Sequence, residues 1–193
     1  MHTILLSVSA LLAITGSSTY CASILSGRTK PHRITRLVLL FVLTLNFIGV
    51  IAAHGNLGAE LYGGIICAFG VAFFILSLRR GMGGTTAFDW ICFVIAMAGV
   101  IGWQITGSAI LGIWLAALAD FVAYLPAFAK TWKYPRTESP WLYSLSGLAA
   151  ILSLAAYPVT QVSIFQIMTI VCAFLMLICI YRQSIGLKTK SVR

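Results

Sequence analysis

The stretch Y-L-P-A-F-A-K-T-W-K-Y-P-R-T-E-S, Tyr124 to Ser139, starts as apolar helix, turns basic, carries two prolines and runs into another apolar segment. Such an interruption is what a chain makes when it leaves a bilayer, turns at the surface and enters again. Composition points the same way. The chain has 193 residues, 60% of them apolar and 9% charged, with a mean hydropathy of +1.00. A soluble domain of this length needs far more charge to cover its surface.

Long uncharged runs fill the rest. Residues 3–27, 37–59, 61–78, 90–119 and 139–181 contain no Asp, Glu, Lys or Arg. A bilayer core takes about 20 helical residues to cross, so the last two runs must each be divided. The first divides at the polar cluster Gln104-Ile105-Thr106-Gly107-Ser108, the second at Tyr157-Pro158-Val159-Thr160-Gln161, where proline sits among polar residues. Seven helical spans result, at 3–26, 36–54, 58–78, 87–104, 108–130, 139–157 and 161–182. The fold class expected is an all-α membrane protein. The first span is read as a retained helix, because Met1-His2-Thr3-Ile4-Leu5 lacks the basic start of a signal peptide. The five cysteines fall inside apolar spans without a C-x-x-C pair, so they read as small buried apolar residues.

Charge gives the orientation. The 13 basic residues fall between spans 1 and 2, after span 3, between spans 5 and 6, and after span 7. In a seven-span chain all of those places lie on one side. The positive-inside rule makes that side cytoplasmic and puts the N-terminus outside. The excess positive charge is expected to meet anionic lipid head groups and not nucleic acid.

The opening stretch has a fainter copy. A step back of 104 residues takes Pro135 to Pro31, in R-T-K-P-H-R-I-T-R (Arg28 to Arg36), and Tyr124 to Tyr20. I-I-C-A-F at 65–69 matches I-V-C-A-F at 170–174 with an offset of 105. The chain therefore reads as a three-helix repeat (1–80), a linker transmembrane helix (81–106), and a second three-helix repeat with a basic tail (107–193). Three helices reverse the chain's direction, so a parallel second triplet requires the linker crossing.

On these features the chain resembles the SWEET and PQ-loop transporters, whose plan is three helices, one helix, three helices, with the N-terminus outside. Pro126-Ala127, Lys130, Trp132, Lys133, Pro135, Thr137 and Glu138 resemble that family's loop motif. The glutamine that follows the family's proline is Ala127 here, and the asparagines of the sugar site have no counterpart in 61–78 or 161–182. The resemblance implies a small-solute transporter working by alternating access between two triple-helix bundles, without implying sugar. The chain also resembles a group of small bacterial membrane proteins with T-K-P-H-R near the start, which implies a bacterial inner membrane. A homo-oligomer is compatible with the plan. The alternative is a non-transporting receptor, sensor or assembly factor of the same fold.

Candidate site residues follow from cost. Asp120 lies near the middle of span 5, where an ionised carboxylate costs about 2.5–3.5 kcal/mol on insertion scales. Two readings stand: a substrate or proton site, or a structural hydrogen bond between helices. Asn46, mid-span in helix 2, is its natural amide partner. Trp114, six residues earlier, is a candidate wall of the same cavity. Pro126 removes a backbone hydrogen bond inside span 5, at a cost of about 3 kcal/mol in an ordinary helix, and is the candidate hinge. Tyr20 and Tyr124, at equivalent repeat positions, are candidate gate residues or belt anchors. Gln104 and Gln166 read as interfacial. Trp90, Trp103, Trp132 and Trp141 fall near helix ends, as belt residues do. Thr137 or Ser139 is expected to cap span 6. Enzyme motifs such as H-E-x-x-H, G-x-S-x-G and a phosphate loop are absent from the sequence, and no cofactor or metal site is expected.

The charge map makes a direct prediction. A reporter active only in the cytoplasm, fused after Arg193, should be active in cells, and one active only in the periplasm should be silent. The opposite pair of results would overturn the span count.

Overall fold

The computed structural model describes residues 2–52, 57–83, 86–106, 109–156 and 163–182. Among these the chain is all-helical: seven α-helices, one 3-10 turn and no strand. The helices are α1 (His2–Leu25), α2 (Arg33–Ala52), α3 (Leu57–Arg80), α4 (Ala87–Thr106), α5 (Ala109–Lys133), α6 (Pro140–Ala156) and α7 (Ile164–Tyr181). The two longest uncharged runs divide where their polar clusters fall: α4 ends at Thr106 and α6 at Ala156. Over their described residues, two helices are long and apolar enough to cross a bilayer, His2–Leu25 and the Tyr62–Arg80 part of α3.

The helices pack in a definite order. In the first three, α3 lies against both α1 and α2, and in the last three, α7 lies against both α5 and α6. Across the two sets, α1 packs on α6 and α2 on α5. This pattern is unchanged when α1, α2 and α3 are exchanged for α5, α6 and α7. The helix outside the pattern, α4, lies along α5 and touches α2.

Small residues set the closest contact. The buried face of α1 includes Ser9, Ala13, Gly16 and Ser17, and that of α6 includes Gly147, Ala149, Ala150 and Ser153. A Cβ on Gly16 would sit 3.0 Å from Cβ of Leu145, so the backbones approach as closely as small residues permit. The Ser9 hydroxyl crosses this seam and donates to Ala149 O at 2.8 Å. Elsewhere hydroxyls are satisfied within their own helix: Thr15 donates to Leu11 O, Thr44 to Leu40 O and Ser146 to Leu142 O.

The outer surface is apolar on every helix. Ile4, Phe41, Ile75, Val94, Leu118, Leu148 and Phe174 are exposed, one from each helix in order. Asp89, Asp120, Glu138, Arg36 and Lys130 are buried. An aqueous fold puts charge outside and greasy side chains within. Here apolar side chains face out along every helix, and the exposed charges Arg28, Lys30, Arg33, Arg79, Arg80, Lys133 and Arg136 gather at helix ends and loops.

At one end α4 is fastened to the start of α2. His32 precedes α2, and its Nδ1 accepts from the Thr35 backbone N–H at 3.4 Å, the place of a helix N-cap. Its Nε2 faces Asp89 Oδ1 at 3.3 Å. Asp89 in turn forms a reciprocal cap on α4: its Oδ2 accepts from Thr86 N at 3.1 Å, and the Thr86 hydroxyl accepts from Asp89 N at 3.2 Å. Met82 N donates to Pro31 O at 2.9 Å, and Gly83 then turns with φ +78°. A Cβ there would lie 2.4 Å from the His32 ring, so glycine is required twice over.

Since Nδ1 accepts, Nε2 carries the proton and donates to Asp89, which makes His32 neutral. Burial pushes its pKa below the usual histidine range, against the opposing pull of Asp89. A depressed folded pKa contributes stability above the unfolded value of about 6.5, and that stability is lost as pH falls through the folded value. The melting temperature in detergent should therefore fall on acidification below about pH 6.5, and His32→Gln should flatten part of that fall. An identical pH profile for the variant would refute the reading.

Candidate functional site

A cavity of about 80 Å³ lies between the two helix sets. One water needs about 10–15 Å³ on this measure, so it has room for several. Its walls come from α1 (Ala13, Ser17), α2 (Arg36, Leu39, Leu43), α3 (Tyr62, Ile66, Phe69, Phe73), α5 (Asp120, Tyr124), α6 (Leu142, Tyr143, Ser146) and α7 (Thr169). Among the described residues six helices contribute and α4 does not. Asp120 is 4% exposed. Among the described residues its carboxylate has no ion pair or hydrogen bond.

Below the cavity, toward the basic loops, lies a buried polar knot centred on Glu138. Tyr20 OH donates to Glu138 Oε2 at 2.9 Å, and Tyr143 OH donates to the same oxygen at 3.2 Å. Arg36 Nη2 donates to both hydroxyls, at 2.6 Å to Tyr20 and 3.4 Å to Tyr143. Lys130 Nζ holds the other carboxylate oxygen, Oε1, and also donates to Lys30 O at 2.7 Å. Lys30 N donates to Thr137 O at 2.8 Å. The Arg36 guanidinium also lies over two rings, 4.8 Å from the Tyr20 centroid and 5.2 Å from that of Phe73. Glu138 follows the 3-10 turn Pro135–Thr137, and its extended backbone, φ −121° and ψ 152°, precedes α6. Pro135 makes that turn and is itself buried, and Pro140 opens α6 where a missing N–H costs nothing.

The structure places the residues singled out in the sequence as follows. Asp120 and Tyr124, one helical turn apart on α5, both line the cavity. Tyr20 is fully buried in the knot and so is no belt anchor at a lipid surface. Trp114 is 57% exposed and outside the cavity wall, which corrects its assignment there. Six residues of α-helix rotate about 600°, leaving it about 120° around from Asp120. Pro126 is buried inside α5, which continues through it to Lys133. Thr137 does not cap α6, because its hydroxyl turns back to Tyr134 O at 2.7 Å. Trp90 and Trp141 are exposed, and Arg182 lies 5.0 Å over the Trp132 ring. The side chains of Asn46, Trp103 and Gln104 lie outside the described residues.

The sequence does not mark Arg36 or Tyr143 as site residues, and it shows Glu138 only as part of a motif. One signal was available. The chain has only four acidic residues, and one of them follows a basic loop. In so basic a chain a lone loop carboxylate is the obvious partner for whichever cations are buried.

Removing one member of a buried pair costs about 3–5 kcal/mol, because the other charge is left uncompensated. Glu138→Gln should thus lower stability in detergent by several kcal/mol. Lys130→Met added to it should cost much less than Lys130→Met alone, with a coupling of about 1 kcal/mol or more. Strictly additive losses in this double-mutant cycle would dissolve the knot as a unit.

Comparison with family models, with curated proteins and with solved structures finds no match for this chain.

Proposed function

We propose that the chain is a small multi-pass membrane transporter for a small polar solute, with all seven helices crossing the bilayer, two triplets around a linker helix, and the C-terminus in the cytoplasm. One observation carries this reading: among the described residues, the cavity is built by all six helices of the two triplets and by none of α4. A passage between two moving halves needs that arrangement. The packing order supports the two halves, since exchanging α1–α3 for α5–α7 leaves it unchanged, as for parallel repeats related by an axis along the membrane normal. The apolar outer face of every helix supports the membrane setting. The resemblance to SWEET and PQ-loop transporters agrees with both.

Alternating access then has definite physical content. If the triplets rock apart on the cytoplasmic side, the bonds that must break are those between them. These are Tyr20 to Glu138, Arg36 to Tyr143, Lys130 to Lys30 O and Lys30 to Thr137 O. Those within a triplet persist: Arg36 to Tyr20 on one side, Lys130 and Tyr143 to Glu138 on the other. Glu138 keeps a cation in both states, so opening does not strand a buried carboxylate. In this mechanism the knot is the cytoplasmic gate, with Tyr20 on its first-triplet side, and Tyr124 lines the passage above. Pro126, buried in α5, leaves the Val122 carbonyl without its usual donor and is the place where α5 bends.

The protein reconstituted in liposomes should take up at least one solute from a panel of sugars, amino acids, nucleosides and small amines. Ser146→Trp, which fills the cavity from its α6 wall, should cut that uptake by more than tenfold while leaving the protein monodisperse. Uptake no better than in protein-free liposomes across the panel would favour a receptor or assembly factor. Undiminished uptake by Ser146→Trp would remove the cavity as the path.

A further inference from the structure

We propose that Asp120 is the binding site for the ammonium group of a small organic cation. This deepens the transport reading and rests on it for the solute's passage, though not for its binding.

Asp120 is 4% exposed and lines the cavity. Among the described residues no cation and no hydrogen-bond donor reaches its carboxylate. The other charged group on the cavity wall, Arg36, is committed elsewhere. Its guanidinium donates to Tyr20 and Tyr143 and lies over the Tyr20 and Phe73 rings. Depth separates the two as well. Asp120 stands ten residues before Lys130 on α5, about 15 Å along the helix axis, and Lys130 is in the same knot as Arg36. The cavity therefore has a basic floor that is already engaged and an acidic wall that is not.

The rest of the lining decides which cation fits. A bare inorganic ion wants six or so oxygen ligands in place of its water. The cavity lining is instead largely apolar and aromatic, with the Tyr62 and Phe69 rings and Ile66 in it. An ammonium on a short carbon body needs one counter-charge and gains from ring faces. The Tyr62 hydroxyl, on a residue that also lines the cavity, is buried and has no partner among the described residues. It can accept one of the ammonium protons that the carboxylate does not. The cavity of about 80 Å³ limits the solute to a few heavy atoms beyond the ammonium.

The test is binding to the purified full chain in detergent, with ethanolamine and ethylamine as amine probes, glycerol as the neutral control and lactate as the anionic one. Both amines should raise the melting temperature in a saturable way, and the two controls should not. Asp120→Asn, which keeps the shape and removes the charge, should weaken amine binding at least tenfold. Equal amine binding by Asp120→Asn would overturn the proposal, and so would equal stabilisation of the native chain by glycerol or lactate. If Asp120→Asn does not fold, the comparison of probes on the native chain still decides. Liposome uptake separates this proposal from the transport reading. Amine binding without uptake would keep the site and remove transport. Uptake of a neutral solute, undiminished in Asp120→Asn, would keep transport and remove the site.

Discussion

The fold depends on a buried carboxylate that cannot be left alone. Glu138 is nearly inaccessible, and taking such a charge out of water costs several kcal/mol unless its oxygens are filled. Lys130 fills one, and Tyr20 and Tyr143 fill the other. Those donors come from α5, α1 and α6, and Arg36 of α2 completes the set by holding both hydroxyls. Four helices from both halves of the chain are thereby fixed at one point. The loop that carries Glu138 must be short and rigid to deliver it there. Pro135 in the 3-10 turn and Pro140 at the start of α6 provide that rigidity.

The same constraint explains why the two proline loops meet. Lys30, next to Pro31, donates its N–H to Thr137 O and accepts from Lys130 through its own carbonyl. The two proline loops are thus joined by one backbone–backbone bond and by one bond from a lysine side chain. A second fastening, from His32 to Asp89, serves α4. It lets a helix outside the exchange pattern be held without entering the cavity.

Charge inside and apolar surface outside belong together here. Small residues along α1 and α6 bring the backbones close, while Asp120, Tyr62 and Arg36 line a cavity between the two helix sets. The knot lies at one end of that space, and in the proposed mechanism its hydrogen bonds divide between two halves without stranding a charge. A purely apolar seal would have no such division, because its strength would be spread over the whole contact.

What the sequence by itself determined is the helix count and the helix boundaries. The uncharged runs, the polar breaks near 104–108 and 157–161 and the proline loops place all seven helices to within a few residues of where they lie, because apolar run length and helix-breaking residues act locally. Asp120 was legible for the same reason: a mid-helix carboxylate announces its cost without reference to any neighbour. Only the tertiary structure decided which residues meet. That Tyr20 reaches Glu138, 118 positions away, depends on how α1 lies on α6, and no local pattern encodes it. Trp114, six residues from Asp120, is close to it in sequence and not in space, because helical rotation sends residues six apart to different faces. Periodicity fixes each helix as an object, and partner choice among helices of nearly uniform apolarity is left to the few polar groups that must find one another.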